Sequence, residues 1–145
     1  MFNWPSLRSL EPRMLSILRI MSGLLFLQTG TAKMLDFPHL QNHVPWALNS
    51  VNPGVQGLLE LVGGLLLALG LFTRPVAFIL AGDMAVAYFW RHAPNDFFPM
   101  VNGGTAAILF CFIYLYLFAA GGGVWSLDHL WGTRAASGEG ATGRA

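Results

Sequence analysis

The sequence predicts an all-α membrane protein, a bundle of four transmembrane helices with both termini on the cytoplasmic side. Three observations carry that expectation. Hydrophobic residues make up 54% of the 145 and charged residues only 10%, against about 25% charged in an ordinary soluble domain. Mean hydropathy is +0.54, and the apolar residues stand in four long blocks, each near the roughly 20 residues that cross about 30 Å of hydrocarbon. Arginines collect at the termini and at one turn. Too little charge exists to cover a small soluble fold.

Residues 1–13, MFNWPSLRSLEPR, have no apolar core ahead of a small-residue cleavage site, so they do not read as a cleavable signal. With Trp4-Pro5, Arg8, Glu11 and Arg13 they read as a short interfacial segment. The membrane domain is expected over residues 14–131, with helices at about 14–35, 55–72, 75–91 and 101–120. Backbone groups in lipid must be satisfied internally, which selects helices, and the alternation of a membrane β-barrel is absent. Residues 36–53 hold three prolines, His39, His43 and Trp46 and read as an ordered external loop. Thr73-Arg74-Pro75 reads as a tight turn joining the second and third helices antiparallel, with Pro75 suited to a first helical turn. Residues 132–145 are rich in Ala, Gly, Ser and Thr and are expected to be a disordered tail.

An even number of spans puts both termini on one side. Arg8, Arg13, Arg74, Arg134 and Arg144 fall there, against Lys33 and Arg91 on the other side, which marks the terminal side as cytoplasmic. Trp46, Trp90, Trp125 and Trp131 fall at helix ends or in adjoining loops, where an amphipathic ring is favoured. The net charge of +1 gives no basic field for nucleic acid. Cys111 stands alone, which excludes an intrachain disulfide, a CxxC pair or a cysteine metal cluster. Among apolar neighbours it reads as packing.

Arg19, Lys33, Glu60 and Asp83 lie inside the apolar blocks. A charge at the bilayer centre costs about 2.5–3.5 kcal/mol on insertion scales, so each should face inward and find a partner. Depth, at about 1.5 Å per residue, suggests two cross-helix pairs, Lys33–Glu60 toward the external face and Arg19–Asp83 deeper. Spacing supports an inward stripe: Arg19, Gly23, Phe26, Gly30 and Lys33 on the first helix, and Gly57, Glu60 and Gly64 on the second. The pairs read either as devices that fix helix register or as the wall of a polar pocket or proton path.

A second polar group gathers at the external side. His39 and His43 have metal-ligand spacing, but Pro38 and Pro45 bracket them, and no metal site is expected. None of the four histidines lies mid-span, which argues against haem ligation within this chain. The aromatic run Phe110, Phe112, Tyr114, Tyr116 and Phe118 would spread around a helix and reads as lipid contact and packing, with a quinone or retinal box as the other reading. If a ligand is bound, the candidates are Lys33, Glu60, His92, Asn102, Gly103 and Gly104. Free N–H groups at the start of the fourth helix would suit a carbonyl or anionic group, Lys33 adds a donor, and Glu60 could exchange a proton. The plainer reading of Gly103-Gly104 is a tight helix contact. No Walker loop, GxGxxG, GxSxG or HExxH motif occurs.

The stretch GLLELVGGLLLALGLFTRPVAFILAGDMAVAYF, then HAPNDFFPMVNGG and GGGVWSLD, together with LRIMSGLLFLQTGTAKML, resembles the DoxX family of small four-helix inner-membrane proteins. The resemblance covers about residues 15–128, and the LFTRP turn and HAPNDFFP…NGG are its specific parts. Lys33, Glu60, Arg74, Asp83, His92, Pro99, Asn102, Gly103 and Gly104 fall on the family's characteristic positions. The family commonly has Glu directly after NGG, where this chain has Thr105. The resemblance implies a multi-pass protein of the bacterial cytoplasmic membrane, associated with quinone-linked oxidoreductase systems such as thiosulfate oxidation.

Three functional classes follow. The first is a membrane subunit of a quinone-linked redox complex. It would offer a pocket for a quinone or small molecule, with no covalent cofactor and no catalytic motif of its own. The second is a non-enzymatic structural or assembly subunit. The third is a small-molecule or proton transporter. The expected partners are the bilayer, other membrane subunits, or further copies of the chain as a homo-oligomer.

Overall fold

The computed structural model describes residues 8–39, 41, 47, 50 and 54–139 of the chain, residues 134–139 by backbone alone. Among these every regular element is helical. α1 spans Glu11–Leu35, α2 Gln56–Leu69 and α3 Thr73–Ala87, which continues into a π-helical turn at Tyr88–His92. α4 is the single turn Pro99–Asn102, α5 spans Thr105–Ala120 and α6 Leu127–Glu139. Only α1 among the described residues is long and apolar enough to cross a membrane by itself; α2 and α5 are shorter apolar helices.

Local chemistry explains the ends of these elements. Pro12 sits in the first turn of α1, where its missing N–H costs nothing, with Glu11 at the favourable end of the dipole. Part of the expected interfacial segment, residues 11–13, is therefore helix, and residues 1–7 lie outside the described residues. α2 ends on Gly70, whose φ of +71° is readily adopted without a side chain. α3 is capped by a distant element: the Asp128 carboxylate accepts from the Phe72 N–H at 2.8 Å and the Thr73 N–H at 2.7 Å.

Two sequence expectations need correction. The span expected at 101–120 is broken, because Asn102 closes α4, Gly103 takes φ +73°, and α5 begins only at Thr105. The tail expected to be disordered from residue 132 is helical as far as Glu139. Ser126 explains its start: the hydroxyl accepts the His129 N–H at 3.1 Å, and Asp128 stands in the first turn.

The helices alternate in direction around a core of Phe26, Leu67, Leu80, Met84, Tyr114 and Leu117. α1 and α2 touch along a glycine seam. A Cβ on Gly23 would stand 2.6 Å from the Ala68 nitrogen, and one on Gly64 would stand 2.8 Å from the Gly23 oxygen. No side chain fits there. Met14, Ile17, Met21, Leu24 and Leu25 on α1 point outward, as do Leu58, Val62 and Leu65 on α2.

Polar groups collect at both ends of the bundle. At one end Arg19, fully buried, donates Nε–H to Gly122 O at 2.7 Å and Nη2–H to Trp125 O at 2.8 Å. Its Nη1 donates to Ala68 O at 2.7 Å and also to Leu67 O. At the other end α1 finishes beside the start of α2, with Lys33 against Glu60.

Candidate functional site

Lys33 lies in the last turn of α1 and Glu60 in the second turn of α2. The glycine seam holds these helices close enough for Lys33 Nζ to stand 2.6 Å from Glu60 Oε1. The Glu60 side chain is only 4% exposed and Lys33 23%. The second carboxylate oxygen, Glu60 Oε2, is buried, and the Thr29 side chain lies beside the carboxylate.

Around this pair is a chamber of about 340 Å³. Phe26 and Phe110 form an aromatic wall, their ring centroids 5.2 Å apart, and Thr29, Gln56, Met84, Ala87, Arg91, His92, Ala106 and Ala107 complete the lining. Behind Phe26 and Phe110, Tyr114 packs edge-on to Phe26 at 4.9 Å and donates its hydroxyl to Ser22 O at 3.2 Å. The two alternative readings of the aromatic run thus divide: Phe110 lines a cavity, Tyr114 is core, and Phe112 and Phe118 face outward.

A larger cleft of about 570 Å³ lies between α2 and α3. Val55, Leu59, Ile79, Val86 and Trp90 make it apolar, and Asp83 is the carboxylate in its wall. Gln56, Ala87 and Arg91 line both cleft and chamber. Asp83 Oδ2 is buried and meets no hydrogen-bond partner among the described residues.

The expected Arg19–Asp83 pair does not form. Arg19 reaches the opposite end of the bundle, where the last carbonyls of α2 and the turn after α5 accept all its bonds. Carbonyls at a helix C-terminus lack helical partners and carry partial negative charge, so they replace a carboxylate there.

Asn102, Gly103 and Gly104 also differ from expectation, since none of them lines either cavity. The Gly104 N–H donates to Asn102 Oδ1 at 2.7 Å and to Pro99 O at 3.1 Å. Asn102 Nδ2 donates to Asp96 O at 2.8 Å. A Cβ on Gly104 would stand 2.7 Å from the Tyr88 ring. The pair of glycines is thus a turn and a tight contact, and the Gly104 N–H is taken up within it. Its link to the site is indirect: Asn102 O accepts from His92 Nδ1 at 2.9 Å. A carbonyl only accepts, so Nδ1 carries a proton.

The sequence reading missed Gln56, Trp90 and Arg91 as site residues. Gln56 had a usable signal, because it stands four residues before Glu60 on one helical face. Trp90 and Arg91 had none, whereas the neighbouring His92 was expected. The π turn, closed by the Ala93 N–H on Tyr88 O at 2.9 Å, brings Trp90 to the cleft, His92 to the chamber and Arg91 to both. At the external loop His39 Nδ1 meets Asp36 Oδ2 at 2.6 Å, while His43 and Trp46 lie outside the described residues.

Comparison with known proteins places this geometry in a family. The DoxX family model matches residues 14–93, which include Lys33, Glu60, Asp83, Arg91 and His92. An uncharacterized protein of Haemophilus influenzae is 42% identical over 127 residues, covering 86% of this chain and 95% of the relative. No solved structure matches.

Proposed function

The chain belongs to the DoxX family of membrane proteins, and from that premise we propose that it is a multi-pass inner-membrane subunit of a quinone-linked redox complex. In this reading α1, α2, α3 with its π turn, and α5 cross the bilayer. Both termini are cytoplasmic, and the chamber end faces outward. The arginines at the start of α1, at Arg74 and on α6 support that orientation. Outward-facing Met, Leu, Ile and Val side chains support lipid contact along the helices.

The observation that carries the functional reading is an apolar cleft beside a polar chamber, with Gln56, Ala87 and Arg91 in the walls of both. A lipid-soluble molecule needs an apolar approach and a few convergent polar groups at its end. The residues fit a quinone-type ring: Phe26 and Phe110 offer flat faces, and Lys33, Gln56 and Arg91 offer hydrogen bonds. When bound, such a group supplies two-electron, two-proton chemistry, and the chain supplies binding and orientation.

The test is a binding titration of a short-chain benzoquinone against the full chain in lipid nanodiscs. Saturable binding is expected, with about a tenfold or greater loss in a folded Lys33→Ala, Glu60→Ala double variant. Unchanged binding in that variant overturns the assignment. A second reading, a structural subunit of a larger complex, is favoured by one observation: Phe97, Phe98, Met100 and Val101 form an exposed apolar patch between α3 and α5. Co-purification of a partner that survives Phe97→Ser, Met100→Ser substitution counts against that patch as its contact.

A further inference from the structure

We propose that the outer face of the α2–α3 pair holds one anionic glycerophospholipid of the bilayer, its phosphate on Arg91 and an acyl chain along the groove below. The inference stands apart from the quinone-type reading, because it concerns the lipid-facing surface and leaves Lys33 and Glu60 of the chamber untouched. The groove is longer than the cleft alone. A second hollow of about 280 Å³ lies further along the same two helices, walled by Leu58, Val62, Leu66 and Val76. Leu59 and Ile79 stand in the walls of both, so the two lie end to end. At 1.5 Å per residue, the α2 wall from Val55 to Leu66 is about 16 Å long. Its floor is closed where the helices touch, since a Cβ on Gly63 would stand 2.7 Å from the Leu80 side chain. An apolar groove elongated along the helix axes has the shape of an extended hydrocarbon chain.

Charge decides which molecule brings that chain. Arg91 stands at the chamber end of the groove, exposed, and forms no ion pair among the described residues. Residues 40–53 contain no Asp or Glu that could supply one. Trp90 beside it carries an amphipathic ring of the kind favoured at the membrane interface. A phosphodiester is an anion that arrives already attached to hydrocarbon, so it complements this cation and this wall together. Asp83 lies about 12 Å below Arg91 at 1.5 Å per residue, so its carboxylate and the phosphate do not meet. Lipid tails are as apolar as the side chains of the wall, and the groove therefore takes a tail without choosing among lipids. The choice is made at Arg91, where one interfacial cation favours an anionic lipid by about fivefold.

Native mass spectrometry of the full chain, released from detergent, reads which lipid is retained and how many copies. The probes are phosphatidylglycerol and phosphatidylcholine with identical acyl chains, offered in equal amounts. One retained lipid per chain is expected, with phosphatidylglycerol favoured about fivefold. Arg91→Gln removes the charge and should bring that ratio close to one. Ile79 is 54% exposed and lines both hollows, so Ile79→Trp fills the groove without entering the core. It should abolish retention of both lipids, and Val62→Phe in the lower hollow should weaken it with a smaller insertion. An unchanged ratio in Arg91→Gln overturns the proposal, as does full retention in folded Ile79→Trp and Val62→Phe variants. A lipid-free dimer that Ile79→Trp converts to a monomer also overturns it, because a second copy would then cover this face. Displacement of the lipid by glycerol phosphate, which has no tail, would show that the groove contributes nothing and would overturn it too.

Discussion

Arg19 has no exposed surface and no ion pair among the described residues, and its guanidinium is nevertheless saturated by four main-chain carbonyls. Each charge-assisted bond contributes about 1.5–3 kcal/mol, which together offset the several kcal/mol of desolvating an ion. The bonds reach the end of α2 at Leu67 and Ala68 and the turn after α5 at Gly122 and Trp125. Arg19→Lys keeps the charge and loses the planar fork that spans these acceptors. It should cost about 3–5 kcal/mol, seen as a clear drop in thermal unfolding temperature in detergent. Asp83→Asn removes a carboxylate oxygen that has no partner and should be close to neutral or stabilising. If Asp83→Asn destabilised as much as Arg19→Lys, the carbonyl account of Arg19 would fail. The inward placement of Arg19 was legible from its spacing with Gly23, Phe26 and Gly30, but its partners were not. Carbonyls belong to every residue, so no residue type announces them.

At the scale of elements, the stripe of small residues on α1 and α2 was read correctly as a close approach, and the structure shows how close. A Cβ on Gly64 would meet the backbone of Leu27 and Gly23, which cannot yield as the tip of a side chain can. Gly64→Ala should therefore push α1 from α2, at or above the upper end of the about 1–3 kcal/mol usual for overpacking. It should also loosen the Lys33–Glu60 contact that the seam permits. Gly82 is the control: a Cβ there meets nothing within 4 Å. Gly82→Ala should stabilise by about 0.5–1 kcal/mol through helix propensity. Equal unfolding temperatures for the two variants would show that the seam bears no packing load. The break at Gly103 and the continuation of α6 to Glu139 were not legible in the same way. The first depends on Tyr88 pressing on Gly104, and the second on a cap at Ser126 that hydropathy does not register.

At the scale of the molecule, the two polar ends divide the labour. The Arg19 end ties α1, α2 and the segment before α6 into one knot, with Asp128 capping α3 across it. The Lys33 end is left with the cavities and the buried carboxylates of Glu60 and Asp83. The proposed topology puts the knot in the cytoplasm and the chamber outside. A phosphatase active only outside the cytoplasm should therefore be silent when fused after Ala145. A cysteine at His39, in a Cys111→Ser background, should react with a membrane-impermeant maleimide applied from outside. An active C-terminal phosphatase or an unlabelled residue 39 would reverse the orientation.

The sequence by itself determined that the chain is helical, that it is a membrane protein of its family, and which charged residues turn inward. Helicity and the inward charges depend on composition and the 3.6-residue period, and the family resemblance on the LFTRP and HAPNDFFP…NGG motifs; all are written along one dimension. Only the tertiary structure decided what the inward charges meet. Lys33 and Glu60 come together because glycines let two helices touch, whereas Arg19 and Asp83 are separated because helix-end carbonyls attract the guanidinium first. It also decided that Arg91 and His92 share one chamber, since a π turn changes the angle between successive residues in a way their identities do not encode. Partnering is a matter of distance in space, and distance in space is what a linear pattern leaves open.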